Sequence, residues 1–145
     1  AMLALPLLFA AACGGSSSEP VPAATPNAST VATQALIADV AEAATDLSTA
    51  LENPDVSSDA WRANAVAALA TLSTQVAATS EQLDTTDGAT AEQKQLAEAT
   101  TQYSQAAGVL ALGLETLDLD KIDASATLLA QATASLVAAQ VMLIQ

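Results

Sequence analysis

The sequence predicts an all-α protein, an antiparallel up-down-up-down four-helix bundle, and three observations predict it. Hydrophobic residues make up 52% of the chain but aromatic ones only 2%, and alanine is the largest part of that apolar count. Alanine is the best helix former and a poor core filler, so helices form readily around a thin core. Breakers at Asn53-Pro54-Asp55, at Asp87-Gly88 and in the acidic stretch Leu117-Asp118-Leu119-Asp120 divide residues 31–145 into four segments. Within the segments large apolar residues recur every seven positions with small ones between them, the pattern of helices packed side by side at close range.

The first element lies outside the bundle. Residues 2–12 are apolar, have the length of a secretory hydrophobic region, and end in Ala10-Ala11-Ala12, small residues of the kind a signal peptidase accepts. They are too few to span a bilayer. The chain's single cysteine, Cys13, follows at once, and Gly14 follows it. The run Ala10-Ala11-Ala12-Cys13-Gly14 resembles the lipobox of bacterial lipoproteins. That resemblance implies cleavage between Ala12 and Cys13, acylation of the Cys13 thiol with palmitate-type chains, and a membrane anchor on the extracytoplasmic face of the cell membrane. Two departures accompany it: Ala10 stands where the family usually has leucine, and no lysine or arginine precedes the apolar run. Because the chain opens on Ala1, we read the missing basic region as N-terminal truncation. The other reading of these residues is a plain secretory peptide that leaves an incidental thiol. A diacylglyceryl group supplies at least two chains, each buried methylene being worth about 0.8 kcal/mol, whereas one chain anchors only marginally.

Residues 13–30 then form the lipidated cysteine and its spacer. GGSSSEPVPAATPNAST carries three prolines and clustered glycine and serine, and such a composition predicts a flexible, partly extended, disordered linker. The bundle takes residues 31–145, with helices of about 22–28 residues, roughly 33–42 Å at 1.5 Å per residue. The first places Leu36, Val40, Ala44, Leu47 and Leu51 on one face. The second, capped by Ser57 or Ser58, carries Leu69, Leu72, Val76 and Leu83. Thr90 with Gln93 three residues on forms a capping box for the third, whose seam is Leu96, Tyr103, Leu110 and Leu117 with Ala99, Ala106 and Gly113 between. The fourth, capped by Asp118 or Asp120, carries Ile122, Leu129, Leu136 and Leu143 with Ser125, Ala132 and Ala139 between. Short connections between long helices make neighbours antiparallel. Gly108 and Gly113 each cost about 1 kcal/mol against alanine inside a helix, and close helix approach is the expected reason. Trp61 and Tyr103 read as core anchors.

Much chemistry is excluded. Without histidine the chain cannot build a Cys/His dyad, a di-iron Glu-x-x-His pair, a c-type haem attachment or a His-based general base, so no cofactor, metal or enzymatic role is expected. Asp118, Asp120 and Asp123 depart from a calcium loop, whose sixth position needs Gly and twelfth Glu where this chain has Asp123 and Leu129. They read as helix-capping acids that favour the N-terminal dipole. Thr79, Thr90 and Thr101 are eleven apart, but the Asp87-Gly88 break keeps them off a common face. Asp39, Glu42 and Asp46 read as a solvated stripe. A net charge of −13, with only Arg62, Lys94 and Lys121 basic, argues against nucleic acid and against direct adsorption to anionic lipid.

The expected function is therefore that of a membrane-anchored, non-enzymatic binding or structural module, and the layout resembles small helical-bundle lipoproteins of high-GC or other Gram-positive-type bacteria. The alternative is a sensor or carrier bundle holding a small apolar ligand or lipid between its helices. At the end of the fourth helix Val137, Val141 and Ile144 form a second apolar stripe beside the Leu136 and Leu143 seam, wider than one seam requires. A protein partner or self-association through those three residues, or a helix continuing past a truncated end, is the expected reason.

Overall fold

The computed structural model describes residues 28–84 and 88–145. The apolar N-terminal segment, Ala12, Cys13, most of the spacer and Asp87 lie outside the described residues. The described residues form a four-helix bundle: α1 (Ala28–Leu51), α2 (Asp59–Asp84), α3 (Ala91–Thr116) and α4 (Leu119–Leu143), of 24, 26, 26 and 25 residues. No strand occurs among them. α1 packs on α2 and on α4, α2 on α3, and α3 on α4, so the four helices close a ring around one core. The α3 and α4 pair is the most intimate of these contacts.

Local sequence explains the boundaries. α1 begins at Ala28, so residues 28–30, expected in the spacer, are helical. After Pro26 nothing in Ala28-Ser29-Thr30 forbids a helix, and the alanine-rich run that follows carries it back to there. Pro54 prevents α1 from continuing. Asp55 closes the turn by accepting from the backbone N–H and hydroxyl of Ser57, and the Ser57 hydroxyl first of all holds its carboxyl below the usual value. Of the two candidate caps Ser58 is the one used, its hydroxyl accepting from the Trp61 N–H at 3.2 Å. Gly88 takes φ +76°, a left-handed turn that glycine adopts without Cβ strain. Thr90 and Gln93 form the full capping box of α3, each side chain accepting from the other's backbone N–H. Asp118 caps α4 by accepting from the N–H groups of Asp120 and Lys121.

The core holds Leu47, Leu72, Leu96, Tyr103, Leu110, Ile122, Leu129 and Leu136, all buried, with Ala65, Ala99, Ala106, Ala132 and Ala139 between them. The seams of α3 and α4 therefore follow the seven-residue register through Leu110 and Leu136. Four positions depart from it. In α1 the buried residue is Ile37, and Leu36 lies half-buried beside it, because the helix turns its 33, 37, 40, 44 row inward. Leu83 and Leu143 are half-buried and pack against the edge of the core. Leu117 is 44% exposed and has φ 54°: its N–H and that of Asp118 both return to the Gly113 carbonyl, so it closes α3 in a left-handed cap while Leu114 fills the seam. Trp61 is only partly buried, yet its indole N–H donates to the Ala50 carbonyl at 2.8 Å and ties the start of α2 to the end of α1.

Glycine is used in two ways in α3. A Cβ on Gly113 would lie 3.1 Å from Ile122 Cγ1, the Ile122 backbone nitrogen and Lys121 Cβ, so close approach of α4 explains it. A Cβ on Gly108 would meet nothing within 4 Å. The expectation of close approach thus holds at Gly113 and fails at Gly108, which faces solvent.

Candidate functional site

The sequence points to two places, the run Ala10-Ala11-Ala12-Cys13-Gly14 and the outer face of α4. Ala12 and Cys13 lie outside the described residues. The outer face of α4 is described, and Val137 (50%), Val141 (43%) and Ile144 (75%) are all exposed there, with Met142 exposed beside them. Leu136 on the inner face is buried and Leu143 half-buried, so the two apolar stripes are distinct. α4 is also long and apolar enough, by length and composition, to cross a membrane, but Ile122, Leu129 and Leu136 are buried in the bundle core.

Next to that face runs a groove between α1 and α4. Its middle part, about 250 Å³, is lined by Ile37, Ala41, Ala44, Tyr103, Leu136 and Val137, with Thr133 beside them. Its end, about 200 Å³, lies among Gln34, Ile37, Ala38, Gln140, Leu143 and Ile144. A second groove, of about 190 Å³ between α2 and α3, is lined by Leu72, Val76, Ala77, Ala107 and Tyr103. The Tyr103 ring thus reaches from one groove to the other. Its hydroxyl lies 2.9 Å from Thr133 Oγ1, and Thr133 in turn donates to the Leu129 carbonyl. Burial pushes the Tyr103 phenol above its ordinary value, so it stays neutral. Sequence reading missed these grooves, which depend on the spacing between helix axes.

The acidic residues are dispersed over other surfaces. The first-helix acids Asp39, Glu42 and Asp46 border a polar hollow with Thr71 and Gln75 of α2. The Asp118 carboxylate is engaged by its two cap donors and by an ion pair with Lys121, which together depress its pKa, the Lys121 hydrogen bond most. Among the described residues no group of three metal-ligating side chains comes together. Thr79 is buried in α2, Thr90 caps α3 and Thr101 is exposed, three different settings. No family model, no curated protein and no solved structure matches the chain.

Proposed function

We propose that this chain is a membrane-anchored extracytoplasmic lipoprotein, held by acyl chains on Cys13, whose bundle serves as a non-enzymatic binding or structural module with its helices in up-down-up-down order. The observation that carries the anchoring is the apolar stretch of residues 2–12, ending in Ala10-Ala11-Ala12, followed at once by Cys13-Gly14 and then by the spacer. A net charge of −13 leaves the bundle itself without attraction for anionic lipid, so attachment needs the covalent chains.

The alternation of helix direction is supported by cross-helix partners. Gly113 lies against Ile122, Tyr103 against Thr133, and Gln102 against Ser135, so residue numbers fall along α3 as they rise along α4. In the same way residues 34–41 of α1 share a groove with 140–144 of α4. A binding role over an enzymatic one is supported by the lack of histidine and by acids committed to caps and solvated faces. The carrier alternative draws on the apolar groove between α1 and α4, whose two parts hold about 250 and 200 Å³, and on the smaller one of about 190 Å³ between α2 and α3, set against the roughly 300–1,000 Å³ of small-molecule sites.

Expressed in a bacterium behind a restored basic region, the precursor is expected in the membrane fraction and in detergent extracts, and Cys13→Ser is expected to release it or to block its processing. A wild-type product that is soluble and retains a reactive thiol contradicts the proposal.

A further inference from the structure

The seam between α1 and α4 is left open along its outer side. Of the four neighbouring helix pairs these two pack least closely. Where a closed seam carries large apolar residues, α1 offers Ala38, Ala41 and Ala44 and α4 offers Thr133 and Gln140, so the helices do not fill the space between them. The two parts of the resulting groove, about 250 and 200 Å³, adjoin through Ile37, Ala41 and Gln140. Taken together they fall within the roughly 300–1,000 Å³ of small-molecule sites. The groove follows α1 from Gln34 to Glu52, roughly 27 Å at 1.5 Å per residue, and for that length its volume is one hydrocarbon chain wide.

Its two ends differ in chemistry. Toward Ile144 the walls are Ile37, Ala38, Leu143 and Ile144, with the uncharged Gln34 and Gln140 between them. Toward Glu52 the lining is Thr45, Ser48, Thr49 and the Glu52 carboxylate, the one charge in either part. Hydroxyl protons on this side are already spent: Thr45 donates to the Ala41 carbonyl at 2.8 Å, and Thr133 donates to the Leu129 carbonyl and so accepts from Tyr103. This end therefore accepts hydrogen bonds and suits a ligand group that donates them. A carboxylate or phosphate head would oppose Glu52 and a chain of net charge −13.

We propose that the groove between α1 and α4 binds one molecule of a neutral single-chain lipid with a hydroxyl head, a monoacylglycerol, its tail toward Ile144 and its head toward Glu52. The tail lies where the walls are aliphatic, and the head hydroxyls donate to the Glu52 carboxylate and the Thr45 oxygen. Leu136 and Tyr103 stay buried beneath it, so the ligand covers the core without displacing any of it. This rests on the reading of the bundle as an extracytoplasmic binding module tethered at a membrane, which sets it beside lipid.

Photolabelling of the full chain carrying Cys13→Ser tests the proposal, the substitution removing any acyl chain of the protein's own that would compete. Two analogues of 1-monopalmitoylglycerol are used below their aggregation threshold, one with a diazirine at the chain end and one with it beside the head. The first is expected to label residues 34–41 of α1 and 140–144 of α4, and the second residues 45–52. Unlabelled 1-monopalmitoylglycerol is expected to compete at least about 10-fold better than palmitate at low ionic strength, because the fatty-acid anion meets Glu52. Ala41→Leu fills the stretch common to both parts and is expected to lower the labelling at least about 10-fold, the effect of keeping two methylenes out of apolar surroundings, with the helical circular dichroism unchanged. Ala77→Leu, in the groove between α2 and α3, is expected to leave the labelling as it is. Label concentrated on α2 and α3 or spread evenly over the four helices, exchanged patterns for the two analogues, equal competition by palmitate, or labelling that Ala41→Leu leaves unchanged each overturns the proposal. Absence of labelling above background overturns it as well. The tether is judged separately on the wild-type protein by membrane fractionation, so a failure of the groove and a failure of the anchored reading are distinguishable.

Discussion

Gly108 and Gly113 stand five residues apart in α3 and answer to different constraints. At Gly113 an added methyl group meets Ile122 and Lys121 at 3.1 Å, and one of those atoms is the Ile122 backbone nitrogen, itself held by the Asp118 carbonyl. The neighbour cannot yield, so Gly113→Ala is expected to destabilise by about 1–3 kcal/mol through overpacking. Gly108 has open space around its Cα, and Gly108→Ala is expected to stabilise by about 1 kcal/mol from helix propensity alone. Urea titrations of the two variants with opposite shifts would bear this out. Tyr103→Phe removes a buried hydroxyl and leaves Thr133 with its Leu129 acceptor, for an expected loss of about 0.5–1.5 kcal/mol. Because burial raises the Tyr103 pKa, its neutral form adds stability that is present below the unfolded value and lost as pH rises through the folded one. Tyr103→Phe is therefore expected to flatten the decline in stability above about pH 10.

At the scale of the element, each helix boundary is written in a few residues, and those were legible: Pro54 ends α1, Thr90 and Gln93 open α3, and Asp118 opens α4. What the sequence concealed is where a cap interrupts a periodic row. Leu117 continues the spacing of Leu96, Tyr103 and Leu110, yet the two hydrogen bonds returning to the Gly113 carbonyl end the helix before it, and it turns to solvent. Counting sevens cannot detect that, because the cap depends on backbone geometry. The choice between Leu36 and Ile37 in α1 was similarly hidden, since both neighbours are large and apolar. The Asp118 cap has a pH signature. Its carboxyl is held below 3.8, chiefly by Lys121, so its contribution is present above the unfolded value and lost as pH falls through the lower, folded one. Asp118→Asn keeps a cap acceptor but cannot titrate, and its acid unfolding is expected to be shallower than wild type below about pH 4.

For the whole molecule, a core with one tyrosine, a handful of leucines and many alanines leaves little redundancy. Leu110 and Leu136 are buried on facing helices, and Leu110→Ala and Leu136→Ala are each expected to cost about 2–5 kcal/mol in denaturant titrations. Losses below about 0.5 kcal/mol, the size of a surface substitution, would contradict their placement. The candidate site divides in the same way between what periodicity reveals and what it does not. The exposed face at Val137, Val141 and Ile144 was legible because it exceeds the width of one seam, whereas the grooves beside Tyr103 depend on distances between helices. Above both stands the claim that this acidic bundle is tethered to a membrane through a single thiol. The most direct measurement is the intact mass of the product extracted from the membranes of an expressing bacterium. The account predicts a chain that begins at Cys13 and carries the added mass of a diacylglyceryl group; a chain cut elsewhere, or one beginning at Cys13 with an unmodified thiol, would contradict it.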